Sequence, residues 1–267
     1  MSVGAGIHGP WPQGSRLEPH PQRAAARERQ SPAMSIASIS SILLALLAGL
    51  ALLSGLYIAW SMFIPTRGKR INRYPHPTQA LLVMDIQESG GVTAATVPFP
   101  TETPFGRMLA AVNRLIEAFD TAGLEVAYVR QVFSSNFITR LHGGRIRAGR
   151  MEPRICRWVK VVNGNDFPKN RTDAFSNHQL EWFLIERQVD EIFLVGLDAA
   201  FCIYYTALGA QNRGYRVTVV SDAVMSGRDM TRVLKRYRKK GIAVMNSRDL
   251  VAALSATNTP TRLQEPP

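Results

Sequence analysis

Apolar positions along the chain follow three rhythms. Residues 42–64, ILLALLAGLALLSGLYIAWSMFI, form an unbroken run of 23 uncharged, mostly apolar positions. Beyond it, short apolar and β-branched runs at 80–85, 125–131, 157–162, 191–197, 215–220 and 242–246 predict six strands. Between them apolar residues recur at helical spacing. Phe105, Met108, Leu109, Val112, Leu115, Ile116 and Phe119 make one such stripe, which predicts a helix face turned to the core. Strand alternating with helix predicts an α/β fold: a three-layer α/β/α domain, Rossmann-like, on a mostly parallel six-stranded sheet covered on both faces. That domain spans 79–255, long enough for a single core. Residues 1–33 mix Pro, Gly and charge without periodicity and read as a disordered tail. Residues 65–78 (PTRGKRINRYPHPT) read as a basic linker, and 256–267 as a flexible tail.

The apolar run exceeds the ~20 residues that cross a bilayer core. Tyr57 and Trp60 stand toward its carboxyl end, where interfacial aromatics belong. It is too long for the apolar region of a signal peptide and lacks a small-x-small cleavage site, so 36–64 reads as an uncleaved single-pass transmembrane anchor. Arg67, Lys69, Arg70 and Arg73 follow within ten residues of the run. The positive-inside rule then places the folded domain in the cytoplasm, at a bacterial inner membrane. Four arginines and two glutamates precede the run; a translation start at Met34 removes them and sharpens the asymmetry.

The formal net charge is +12. Besides the linker, the excess lies in 140–160, with six arginines and one lysine in 21 positions, and in 228–240, with seven basic residues on an expected helix. The first segment reads either as an anion-binding loop with bidentate arginine contacts or as a solvated basic loop or subunit contact. No aromatic platform or nucleic-acid module accompanies these charges, so nucleic acid is excluded as a partner. A basic surface suits a protein held against an anionic leaflet. Two cysteines, Cys156 and Cys202, fit a reducing compartment.

Three polar residues stand where chemistry could be placed. Cys202 follows an apolar run that breaks at Gly196, at the start of a helical pattern. At such a turn free N–H groups and the helix dipole lower a thiol's pKa. The same cysteine also reads as a small buried hydrophobe. Asp85 ends the run ALLVMD, at the carboxyl end of an expected strand, where open α/β sheets bind ligands. It reads equally as a loop cap. Lys169 lies in a polar loop before an amphipathic helix, and a solvated surface lysine is the plain alternative.

Taken together these segments resemble the isochorismatase-like cysteine hydrolases, the superfamily of nicotinamidases and N-carbamoyl amidases. The resemblance is carried by Asp85-Ile86-Gln87, Lys169 with Asp173-Ala174-Phe175, Gly196, Cys202-Ile203, Thr206-Ala207, and Gly214-Tyr215 through Asp222-Ala223. It covers residues 78–255. It implies a C–N hydrolase acting on a small amide or carbamoyl substrate, with a catalytic triad: Cys202 as nucleophile, Asp85 as general base and Lys169 holding both. It also implies an oxyanion hole from the N–H groups of Asp198 and Cys202, beside a cis Leu197–Asp198 peptide. An aspartate can serve there only if its side chain points away.

The aromatic residue that usually follows D-x-Q is missing, since Gln87 is followed by Glu88-Ser89-Gly90-Gly91. The substrate pocket then falls to Gln87, Phe133, Phe137, Trp158 and Phe175. Nicotinamidases add an Asp and two or three His after the second strand to hold a divalent cation. Here that stretch carries His142 alone, and none of His8, His20, His76, His142 and His178 forms a pair at ligand spacing. No metal and no other cofactor is expected. The expected protein is therefore a metal-independent cysteine hydrolase, membrane-bound through 42–64 and homo-oligomeric. Two alternatives stand beside it: vinyl ether hydrolysis of the isochorismatase type, and a catalytically silent membrane-bound interaction module.

Overall fold

The computed structural model describes residues 36–88, 100–132 and 154–257. Its strands are β1 (Thr78–Met84), β2 (Glu125–Gln131), β3 (Asp166–Lys169), β4 (Val189–Gly196), β5 (Arg216–Val224) and β6 (Ala243–Met245). They form one sheet in the order β3-β2-β1-β4-β5-β6, and every neighbouring pair is parallel. The order reverses between β1 and β4, so a crevice opens beyond their carboxyl ends.

The helices are α1 (Ile36–Phe63), α2 (Pro104–Thr121), α3 (His178–Glu186), α4 (Cys202–Asn212), α5 (Met230–Lys239) and α6 (Ser247–Thr257). Side chains alternate across a strand, and β1 shows what that achieves. Ala80, Leu82 and Met84 enter one core with residues of α3, α4 and α5. Leu81 and Val83 enter the other, with α2 and α6. The expected stripe on α2 is buried from Met108 to Phe119, with Phe105 partly covered. Thr103 caps that helix by accepting from Gly106 N at 3.0 Å.

One expected strand is absent. Residues 157–162 form a turn and an irregular stretch, and the third strand is Asp166–Lys169 instead. Side chains meet the backbone groups that a ladder would have paired. Tyr128 donates to Lys160 O at 2.9 Å and accepts from Val162 N at 3.0 Å. Asn113 donates to Trp158 O at 2.8 Å and accepts from Lys160 N at 2.9 Å. Val159 and Cys156 are buried as core residues, so this stretch is apolar without being a strand. The real β3 is an edge strand, which is why it tolerates Pro168.

The described residues fall in two compact units with their boundary between Leu50 and Ala51. Helix α1 contains a stretch, Ala37–Trp60, long and apolar enough to cross a membrane, and its large apolar side chains are exposed. Residues 65–77 are irregular but pinned. Thr66 donates from N and Oγ1 to Asp173 Oδ2, both at 2.7 Å, and Ile71 N donates to Arg213 O at 2.8 Å. Arg213, 2 % exposed, forks onto Glu181 and lies 4.6 Å from the Phe175 ring. Helix α6 runs to Thr257, two residues into the stretch expected as a tail. The amino-terminal tail, Phe133, Phe137, His142 and most of the arginine-rich segment lie outside the described residues.

Candidate active site

The site is assembled where β1, β3 and β4 end. Asp85 directly follows β1 with φ +53°, a conformation that few non-glycine residues adopt and that aspartate tolerates best. Its N–H donates to Val129 O of β2 at 2.8 Å. Gly196 closes β4 opposite Met84, at φ +107°. A Cβ there would sit 2.1 Å from Met84 O, so only glycine lets the two strand ends approach so closely. Lys169 is the last residue of β3, in register with Gln131 of β2. Cys202 opens α4.

Lys169 joins these ends. Its side chain is fully buried, and its Nζ lies 2.9 Å from Asp85 Oδ2 and 3.3 Å from Cys202 Sγ. It also donates to Gln131 Oε1 at 2.5 Å and to Arg171 O at 3.3 Å. The contact with Asp85 is a buried charge pair. Both Asp85 oxygens are cut off from solvent, and neither receives a hydrogen bond.

The turn before Cys202 is tied down on several sides. Ala199 N donates to Met225 O at 3.0 Å, and the Tyr237 hydroxyl donates to Ala199 O at 2.5 Å. The Leu197–Asp198 peptide is cis, as the resemblance implies. Asp198 turns its carboxylate onto the turn itself, where Oδ1 accepts from Ala200 N at 2.7 Å. Among the described residues the N–H groups of Asp198 and Cys202 donate to no protein acceptor.

The thiol does not have the low pKa expected from a helix terminus. Burial pushes it up to about 12, and the Asp85 carboxylate adds to the rise. Lys169 pulls the other way without prevailing. Cys202 therefore rests protonated at neutral pH, beside the Asp85 carboxylate.

Of the residues expected to line a pocket, Gln87, Phe175 and Trp158 are among those described. Gln87 is buried, with both ends of its amide on the Gln131 backbone: Oε1 accepts from N at 2.8 Å and Nε2 donates to O at 3.1 Å. Phe175 is buried between the Arg213 guanidinium and the Tyr215 ring. Trp158 is half-buried against the α2-side core. Sequence reasoning missed Gln131, which receives the Lys169 ammonium. The register of β3 against β2 would have revealed it, but only with β3 correctly located. His76 and His178 are the histidines among the described residues, where no three His, Cys, Asp or Glu side chains converge.

Residues 79–249 match the isochorismatase domain, which is well over half of the chain. The chain belongs to the isochorismatase family. Within that family it is 41% identical over 83 residues to PncA of Bacillus subtilis (strain 168), an isochorismatase family protein. That match covers 31% of this chain and 45% of the relative, somewhat under half its length. A cysteine hydrolase from Pseudomonas syringae pv. phaseolicola 1448A shares the fold at TM-score 0.56 and 17% identity, over 71% of this chain and 99% of that one. The N-carbamoylsarcosine amidase of Thermoplasma acidophilum is 26% identical at TM-score 0.51, over 64% of this chain and 96% of its own. The chain has the isochorismatase-like fold, here on an all-parallel six-stranded sheet.

Proposed function

We propose that this protein is a metal-independent cysteine hydrolase that cleaves the C–N bond of a small amide or carbamoyl compound. One observation carries the reading: a buried ammonium, Lys169 Nζ, lies 2.9 Å from the Asp85 carboxylate and 3.3 Å from the Cys202 sulfur. The likeness to an N-carbamoylsarcosine amidase supports the choice of bond. Metal independence rests on the spacing of the histidines in the sequence.

Asp85 takes the thiol proton as Cys202 Sγ attacks the substrate carbonyl, which turns a resting thiol into a nucleophile only when substrate is present. The N–H groups of Asp198 and Cys202, unclaimed by protein acceptors, receive the oxyanion of the tetrahedral intermediate. Asp85 passes its proton to the departing nitrogen, and the C–N bond breaks to leave a thioester on Cys202. Asp85 then deprotonates a water that attacks the thioester, and the acid leaves as the thiol recovers its proton. Lys169 keeps its ammonium between base and sulfur throughout and balances the negative charge that moves between them.

The protein is held at a bacterial inner membrane by α1, with this domain in the cytoplasm, and works as a homo-oligomer. The reading is tested by screening amides and ureas, with and without a carboxylate, against the full chain. The expected result is ammonia or amine release from one class, abolished in Cys202→Ala. Turnover that survives in Cys202→Ala overturns it.

A further inference from the structure

A cavity of about 430 Å³ opens beside the turn that carries Cys202 and belongs to no step above. It is lined by Phe63, Ala200, Phe201, Tyr205 and by three arginines, Arg228, Arg232 and Arg236. Arg232 and Arg236 stand four residues apart on α5 and share one of its faces, while Arg228 lies just before the cap of that helix. Two of them rest on aromatic rings. The Arg236 guanidinium lies 3.5 Å from the Tyr204 ring centre and donates to Ala200 O at 3.4 Å; that of Arg228 lies 5.4 Å from the Phe201 ring. A guanidinium held by its face leaves its N–H edge available to an anion.

The cavity is positive as well as roomy. Its single carboxylate, Asp229, caps α5 through Thr231 N and Arg232 N and lies 3.6 Å from Arg232 Nε. Among the described residues Arg228 and Arg236 pair with no carboxylate. Part of its apolar wall is Phe63, the last residue of the apolar helix α1. Just before it, Trp60 lies under the Arg171 guanidinium at 4.4 Å. An apolar helix terminus, an aromatic at interfacial position and an arginine-lined cavity thus coincide. That is the composition met where a chain leaves a bilayer.

We propose that this cavity binds the phosphate of an anionic phospholipid headgroup, docking the domain on the membrane that anchors it. The proposal rests on the membrane reading of α1 and is independent of the hydrolase reading. Arg228 and Arg236 clasp the phosphate oxygens, Arg232 screens its outer side, and Phe63 meets the start of the acyl region.

The test uses the full chain in nanodiscs of phosphatidylcholine alone or mixed with phosphatidylglycerol. The rate of phenylglyoxal modification is followed at each arginine by peptide mass spectrometry. Phosphatidylglycerol is expected to slow Arg228, Arg232 and Arg236 about fivefold. Arg187, which is paired with Glu125, should not change and serves as the internal reference. Equal rates in the two discs overturn the proposal, as does a slowing that Arg187 shares. Protection by inorganic phosphate in phosphatidylcholine discs to the same degree assigns the cavity to a soluble phosphate compound and overturns the lipid source. A chain that is not retained in either disc overturns the membrane reading together with the site.

Discussion

Two buried ionic clusters flank one short stretch of chain, Lys169 to Asp173, and they are built on opposite terms. Around Asp173 the charged groups are answered. Oδ2 accepts twice from Thr66, Oδ1 accepts from Phe175 N at 2.9 Å, and Arg213 spends its donors on Glu181, Thr66 and Gly209 O. Burial pushes the Asp173 carboxyl up, and the bonds from Thr66, the bond from Phe175 N and the charge of Arg213 hold it back. Around Lys169 the cation is fully used, and the buried Asp85 carboxylate meets it as a charge pair beside a thiol that keeps its proton. A satisfied cluster fastens the linker, α3 and α4 together. The other, of similar depth, holds a proton donor next to a proton acceptor.

The largest effect should come from the sulfur. Cys202→Ala is expected to lower amide hydrolysis at least about a thousandfold while the melting temperature barely moves, read by turnover and thermal unfolding on the same sample. A large loss of stability with activity retained would invert the comparison. In the other cluster, Arg213→Leu leaves the partly buried Glu181 without its partner and should cost about 2–4 kcal/mol, measured by denaturant unfolding. A cost near zero would mean the satisfied cluster fastens nothing. Smaller again is Gln131→Leu, which removes one hydrogen bond to a charged group. It should reduce kcat by about ten- to a hundredfold in a folded protein. An unchanged kcat would show that Lys169 is held without it.

Much of this architecture could be read from the chain, and the exceptions have causes. The α2 stripe, the run into Gly196 and the helix from Cys202 each follow one period, and each formed where expected. β3 did not reveal itself because it is four residues long, contains Pro168, and its two inward positions are Phe167 and Lys169. A strand whose buried residue is a lysine looks like a polar loop. The 157–162 run misled for the converse reason: its apolar residues are buried from a loop whose backbone is satisfied by Tyr128 and Asn113. Asp85, Lys169 and Cys202 were visible as residues in order, but the state of the thiol was not. Helix-end position argued for an acidic thiol, whereas burial and the proximity of Asp85, both products of tertiary packing, raise it. The role of Arg213 was hidden as well, since nothing local marks an arginine that will be 2 % exposed.

The central claim is that Asp85 keeps the Cys202 proton in place until it is needed, and the pH dependence of Cys202 alkylation tests it most directly. With the thiol pushed up to about 12, the thiolate fraction grows about tenfold per pH unit across the neutral and mildly alkaline range. Iodoacetamide labelling of the full chain, followed at Cys202 by peptide mass spectrometry, should therefore still be rising at the alkaline limit of stability. Asp85→Asn removes the charge that raises the thiol and leaves Lys169, which lowers it. That variant should label faster than the native protein at neutral pH, even as it loses hydrolysis. A native rate that levels off near neutrality, or an Asp85→Asn variant that labels more slowly, would contradict the account.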